Sequence, residues 1–360
     1  MIRIGELFAG IGGLGLAASY VTGGRVVWQV ERDAKAAAVL SRRRPHAGLL
    51  QRDVTDITAQ HLEPVDLLTG GFPCQDLSVA GNRAGLDGAR SGLYREMMRL
   101  TQELRPGAVL VENVPGLLKY RDRLDAHFGE LGYLTAWTTA TALEAGAPHR
   151  RRRVFVLAWR PGCLPPVERL YRRPAWAPEQ SRPWPTATAG DAKASGSRSL
   201  AGSEAHAGTS LTDAVRPDRS KAGPWPTPKS RDYRSGTGTS EASLPKRQGS
   251  RDLPEVLKGR LNPFWVETLM GFPIGWTLPH NDAELGDEDA LRLLDAPRWP
   301  AGWVRTDPDA GPQFAWEPPR LLYGAPVPGR PARLRQLGNA VCPHEGAHAL
   351  SLLLEQATKS

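Results

Sequence analysis

Arg3-Ile4-Gly5-Glu6-Leu7-Phe8-Ala9-Gly10-Ile11-Gly12-Gly13-Leu14-Gly15 is the stretch whose reading decides the fold class. Its first six residues read as a strand, the glycines come at once after it, and residues 14–21 carry helical apolar spacing. Glycines at 10, 12 and 15 match G-x-G-x-x-G in the strand–turn–helix setting the pattern requires. Without side chains the backbone turns tightly and approaches a ligand, and the helix start offers unpaired N–H groups. The reading is an α/β protein with a mostly parallel sheet.

Working outward, Arg25-Val26-Val27-Trp28-Gln29-Val30-Glu31 reads as a second strand ending in a carboxylate, which suits two ribose hydroxyls. Asp33 then caps a helix running through Leu40. Asp53, after a further short turn, is placed to receive an adenine amino group. Together these residues indicate an adenosine-containing cofactor, and a nicotinamide dinucleotide satisfies the glycine pattern equally well.

Val65-Asp66-Leu67-Leu68-Thr69 reads as another buried parallel strand, closed by Gly70-Gly71-Phe72-Pro73-Cys74-Gln75. Glycines at 81, 85, 88 and 92 then mark a loop. Cys74 thus stands where a strand's carboxyl end meets a loop, the place where open α/β sheets keep their reactive groups. Pro73 fixes φ immediately before it. Taken alone, a single cysteine also fits a buried structural role. Ser91 caps an amphipathic helix with Leu93, Met97, Leu100 and Leu104 on one face. Ala108-Val109-Leu110-Val111 is a strand that ends in Glu112-Asn113-Val114, which puts Glu112 on the same rim as Cys74. A buried acid needs either a task or a partner such as a nearby arginine. A helix near 122–131 and a strand near 134–142 precede Pro148-His149-Arg150-Arg151-Arg152-Arg153 and a strand over 154–158. Strand alternation sends Arg151 and Arg153 to one face and Arg150 and Arg152 to the other.

Cys74, Cys163 and Cys342 are too few and too scattered for a disulfide framework or a zinc site. With neither a signal-peptide pattern nor an apolar run of membrane length, a cytoplasmic protein is expected. The formal charge of +8 is concentrated in residues 160–260, which hold 13 Arg and 5 Lys against 10 Asp or Glu. A confined basic excess suits a polyanion, although a solvated basic surface has the same composition. The texture there turns to Pro, Gly, Ser, Thr and Arg. Trp184-Pro185-Thr186-Ala187-Thr188-Ala189-Gly190-Asp191 recurs as Trp225-Pro226-Thr227-Pro228-Lys229-Ser230-Arg231-Asp232, either as two similar lobes or as a structural repeat. Residues 261–273 return to order as a short helix with a Pro stop, residues 282–295 read as an acidic surface excursion, and Gln336 opens a last helix to about Leu354.

The order of Phe8-Ala9-Gly10-Ile11-Gly12-Gly13, Gly71-Phe72-Pro73-Cys74-Gln75, Glu112-Asn113-Val114, Arg151-x-Arg153 and Gly338-Asn339-Ala340-Val341 resembles the DNA (cytosine-5) methyltransferase family of bacteria and phages. The resemblance covers roughly residues 1–160 and 260–355 and departs at His149, where the family usually has Gln. It implies a Rossmann-like S-adenosylmethionine-dependent domain over 1–160. A smaller, irregular target-recognition domain would occupy 161–260. Residues 261–360 would complete that domain and return a helix to the catalytic one. It implies Cys74 as nucleophile on cytosine C6, Glu112 as the partner of N3, Arg153 on O2, and Arg151 in support. The implied cofactor contacts are Phe8, Gly10, Gly12, Gly13, Glu31, Asp53, Pro73 and Asn339. The implied substrate is a flipped-out cytosine in duplex DNA, met by a monomer with a possible restriction endonuclease acting separately. Three rivals stand beside this reading: the same chemistry on transfer RNA, a nicotinamide-dependent oxidoreductase, and a catalytically silent DNA-binding relative.

Overall fold

The computed structural model describes residues 1–73, 92–149, 151–172, 260–278, 285–295, 318, 321–322 and 327–359. Seven strands form its main sheet: β1 (Arg3–Leu7), β2 (Arg25–Val30), β3 (Gly48–Leu50), β4 (Leu67–Gly70), β5 (Ala108–Asn113), β6 (Leu134–Thr141) and β7 (Arg152–Trp159). Their order is β3-β2-β1-β4-β5-β7-β6. The first five strands pair in parallel, and β7 runs antiparallel to both β5 and β6. The order reverses between β1 and β4, which is where open sheets of this kind leave a crevice. The helices are α1 (Gly13–Thr22), α2 (Ala34–Arg43), α3 (Gly92–Leu104), α4 (Arg121–Glu130), α5 (Pro263–Leu269), α6 (Asp287–Asp295), α7 (Arg330–Asn339) and α8 (Pro343–Ala357). A short antiparallel pair, β8 (Arg260–Leu261) with β9 (Leu321–Leu322), stands apart from the main sheet.

Strand alternation divides the core. Ala108 and Leu110 of β5, with Phe155 and Leu157 of β7, join Leu14, Val21, Leu350 and Leu353 on one face. Val109, Val111, Val154 and Val156 point the other way, against Met97, Leu100, Leu124 and Phe128. Both faces are covered, as parallel strands require. Helix α8 lies along α1 and across β6 and β7, so the chain's last described helix closes the first face. Trp265 and Trp276 are fully buried in a third cluster with Ile11, Leu16, Ala36 and Leu337. Trp276 donates its indole N–H to the Ile11 carbonyl at 3.0 Å, which ties residues 262–278 to the glycine loop.

Two expectations change here. The acidic stretch is only partly a surface excursion: Glu288 and Asp295 are exposed, but Asp287 is drawn inward. Asp287 accepts from Nε of fully buried Arg44 at 2.7 and 2.8 Å, and Arg44 also pairs with buried Glu6 at 3.0 Å. Glu6 in turn accepts from the Gly15 N–H and the Gln29 amide, at 2.7 and 2.6 Å. Charges this deep persist only when paired and hydrogen-bonded, and here they fasten the glycine loop to α2 and α6. Nor does Gln336 open the last helix. It belongs to α7, which stops at Asn339 because Ala340 is extended (φ −66°, ψ 150°), and α8 restarts with Pro343 at its first position. Gly12 and Gly13 each have a packing role of their own. Gly12 caps α1 at φ 86°, and a Cβ there would stand 2.7 Å from Arg44. A Cβ on Gly13 would stand 2.2 Å from the Val341 carbonyl oxygen. Because backbone cannot swing aside, Gly13→Ala is expected to lower stability by about 1–3 kcal/mol. Urea unfolding checks this, and an unchanged midpoint would refute the packing role.

Candidate active site

All parallel strands end on one rim, and the segments leaving their carboxyl ends gather there. A cleft of about 480 Å³ is lined by Phe8 and Gly10 after β1, Glu31 to Asp33 after β2, and Gly71 to Pro73 after β4. Glu112 to Val114 from the end of β5 and Arg335, Gln336, Gly338 and Asn339 of α7 complete much of the wall. Antiparallel β7 starts where β5 ends, with Val154 opposite Asn113 and Phe155 opposite Glu112. That register brings Arg151 and Arg153 to the same rim. Arg151 and Arg153 line the cleft and Arg152 is exposed, as alternation predicts for these three residues.

One end of the cleft is built around Glu31. Its two carboxylate oxygens accept from the N–H of Gly10 at 2.8 Å and of Asp33 at 2.7 Å. Burial raises its pKa above the usual carboxylate range, with the Asp33 and Gly10 N–H groups opposing. A carboxylate offers about four lone-pair sites, so acceptor capacity remains for a ligand. Asp53 caps the following 3₁₀ turn, accepting from the Thr55 N–H at 3.2 Å, and that bond is the main cause of its lowered pKa. Its 2.8 Å bridge to Arg32 involves a side chain that is 74 % exposed, and such a bridge exchanges readily for a ligand donor. Phe8 adopts φ 54°, a left-handed backbone that bulky residues avoid, at the point where β1 gives way to the glycines. Gly10 has φ 57°, and a Cβ on it would meet nothing within 4 Å, which leaves open space over its backbone.

The other end is a carboxylate held by two guanidinium groups. Glu112 stands 2.9 Å from Arg153 Nε and 3.6 Å from Arg151 Nη2. Gly71 packs so close that a Cβ there would lie 2.9 Å from the Glu112 carboxylate. Asn113 donates its side-chain amide to the Phe72 carbonyl at 3.0 Å and so anchors the segment that runs into Pro73. His149 is fully buried, and neither ring nitrogen has a hydrogen-bond partner among the described residues. Burial, with Arg151 and Arg153 adding, pushes its pKa down to about 3, so the ring is neutral.

Phe8, Gly10, Glu31, Asp53, Pro73, Glu112, Arg151, Arg153 and Asn339 therefore converge on one cleft, and Gly12 and Gly13 do not line it. Cys74, the loop at 76–91, Arg150 and the Trp-Pro-Thr repeat lie outside the described residues. Sequence reading missed Glu345 behind Arg151 and the Glu6–Arg44–Asp287 network. Each depends on partners far apart in the chain, which no local spacing reveals.

A family model described as C-5 cytosine-specific DNA methylase matches residues 2–285. The chain belongs to the C-5 cytosine-specific DNA methylase family. Among curated members it is 39 % identical over 166 residues to the type II methyltransferase M2.BsuMI of Bacillus subtilis, covering 44 % of this chain and 42 % of that one. It is 35 % identical over 158 residues to M.NgoMIV of Neisseria gonorrhoeae, covering 42 % and 50 % respectively. The match thus spans half or less of the length of these relatives. The fold is shared with solved structures of the methyltransferase EhMeth of Entamoeba histolytica (TM-score 0.57, 13 % identity, 99 % of each chain) and DNMT2 of Spodoptera frugiperda (TM-score 0.54, 18 % identity, 99 % of each chain). In this family member the sheet rim therefore carries both the Glu31–Asp53 end and the carboxylate–guanidinium end of one cleft.

Proposed function

We propose that this methylase transfers a methyl group from S-adenosylmethionine to C5 of a cytosine drawn out of duplex DNA. The single observation that carries the reading is the meeting of Glu112, Arg151 and Arg153 with the Gly71-Phe72-Pro73 segment that leads into Cys74. The donor fits the cleft: the volume suits a ligand of that size, Glu31 keeps spare acceptor sites for ribose, and Asp53 sits beside a replaceable arginine. Phe8, Gly10, Glu31, Asp53, Pro73 and Asn339 would hold it, and once bound it supplies an electrophilic methyl group.

Cytosine C5 is a weak nucleophile until something adds to C6, and a thiolate is the protein nucleophile suited to that addition. Cys74 takes this role, forming a C6–S bond as the ring's electron density moves toward N3. Glu112 donates a proton to N3, and Arg153 holds both O2 and the Glu112 carboxylate. C5 of the adduct takes the methyl group, a base such as water then removes the C5 proton, and as the C6–S bond breaks the N3 proton goes back to Glu112 and the thiolate leaves. A stacked duplex hides C6, so the base must leave the stack. The basic residues 161–260 are assigned to target recognition, through phosphates and base edges. The names of the curated relatives, type II methyltransferases, favour a restriction–modification setting.

Labelled-methyl transfer measured side by side on duplex DNA and transfer RNA tests the substrate. Transfer to DNA, with a covalent complex on 5-fluorocytosine DNA, supports the reading. Transfer to RNA alone, or none with the donor bound, rejects it. Exchanging residues 160–260 for another member's segment should change the methylated sequence, as bisulfite sequencing would show.

A further inference from the structure

Behind the carboxylate–guanidinium end lies a second carboxylate that the proposed chemistry does not use. Glu345, in the first turn of α8, has no solvent exposure, and neither of its oxygens makes a hydrogen bond among the described residues. Its charge partner is Arg151, whose Nε stands 3.4 Å away while Nη2 reaches toward Glu112 at 3.6 Å. One buried guanidinium is therefore shared between a carboxylate at the cleft and a carboxylate behind it. We propose that Glu345 is a positioning residue, which holds Arg151 from the rear so that its guanidinium meets Glu112. The proposal rests on the methyltransferase reading above.

The surroundings leave little else for this task. Cys342, at the foot of α8, is fully buried and its thiol is pushed up to about 12 by burial, so it is neutral. His149, before β7, and His344, on α8, are both kept neutral by burial, at about 3 and about 4. Arg153 and Glu112 face the group from β7 and β5, and Glu144 acts on it from the β6–β7 connection. Among the described residues, Arg151, Arg153, Glu112 and Glu144 are thus the charged groups that bear on Glu345. With its carboxyl mainly neutral at pH 7, Glu345 still gives the buried Arg151 guanidinium a polar face, and an apolar side chain in its place leaves that cation facing hydrocarbon, which is costly.

Burial also raises the Glu345 carboxyl to about 8 against the pull of Arg151. Its folded pKa lies above its unfolded value, so the stability it contributes is full below the ordinary carboxylate range and is lost as pH rises through about 8. The same ionisation draws Arg151 toward Glu345 and away from Glu112.

Glu345→Gln keeps the shape and one acceptor oxygen but cannot ionise, and Glu345→Leu removes the acceptor. Both are compared with wild type as full-length protein in methyl transfer to DNA from pH 6.5 to 9.5, in S-adenosylmethionine binding, and by crystallography. At pH 7 Glu345→Leu is expected to lose about tenfold in kcat with KM for the donor unchanged, and Glu345→Gln to lose less than about threefold. Wild-type kcat should fall about threefold between pH 7 and 9, while that of Glu345→Gln stays level. In the Glu345→Leu structure the Arg151 guanidinium should have left Glu112. An Arg151 that still contacts Glu112 in that variant, or superimposable pH profiles for wild type and Glu345→Gln, overturns the proposal. A wild type that binds the donor and transfers nothing overturns the functional reading instead. The crystal structure and the pH dependence of thermal stability then decide the role of Glu345. If Glu345→Leu does not fold, the Glu345→Gln profile decides alone.

Discussion

Cys74→Ser should abolish methyl transfer to DNA, by about 10⁴-fold or more, because a serine hydroxyl at neutral pH offers almost no anion to add to C6. The donor's Kd should stay within about threefold, since the residues assigned to it are elsewhere in the cleft. Glu31 is fixed by the Gly10 and Asp33 N–H groups, and Asp53 by its own turn. The segment before the cysteine is fixed independently of the thiol: Asn113 bonds the Phe72 carbonyl, and the Phe72 ring packs on Tyr94 at 5.5 Å. A one-atom change at residue 74 therefore alters the chemistry and leaves the wall intact. Calorimetric titration with S-adenosylmethionine and labelled-methyl transfer give the two readouts. A serine variant that methylates within tenfold of wild type would remove Cys74 from the mechanism. A variant that loses donor binding as well would make the residue structural.

Much of this site is legible in the sequence because its parts are local. A strand followed at once by glycines and a helix has one common outcome, and Glu31, Cys74 and Glu112 each come after a readable apolar run. Arg151 and Arg153 fall on one side because a strand alternates, whatever else surrounds it. The features that escaped reading share a physical cause. Arg44 closes a run of three arginines and looks like surface, yet its side chain is fully buried between Glu6 and Asp287. Asp287 looks like a solvated acid, yet it holds Arg44, whereas Asp295 stays exposed while accepting from the Tyr20 hydroxyl at 2.9 Å. The burial of Arg44 depends on a partner more than 200 residues away, and composition carries no such information. The glycines show the same limit. The motif signals a tight loop but does not say that Gly10 borders the cleft while Gly12 and Gly13 accommodate Arg44 and Val341.

Glu112→Gln separates the two jobs assigned to that carboxylate. The amide keeps the volume that Gly71 leaves, so the fold and donor binding should persist. It cannot deliver a proton to N3, and its neutral amide oxygen removes the charge from the pairs with Arg153 at 2.9 Å and Arg151 at 3.6 Å. Loss of a positioned proton donor slows catalysis by about 10²–10⁴-fold, and kcat is expected to fall within that span with KM for the donor unchanged. Arg151 keeps Glu345 as a partner, whereas Arg153 loses the carboxylate it lies against, so the orienting loss should fall mainly on Arg153. A double-mutant cycle with Arg153→Ala makes this explicit. If Arg153 acts on the ring partly through Glu112, the double variant should be less impaired than the product of the two single losses. Strictly multiplicative losses would mean that the two side chains act on the cytosine independently. A Glu112→Gln enzyme within tenfold of wild type would show that N3 takes its proton from another group.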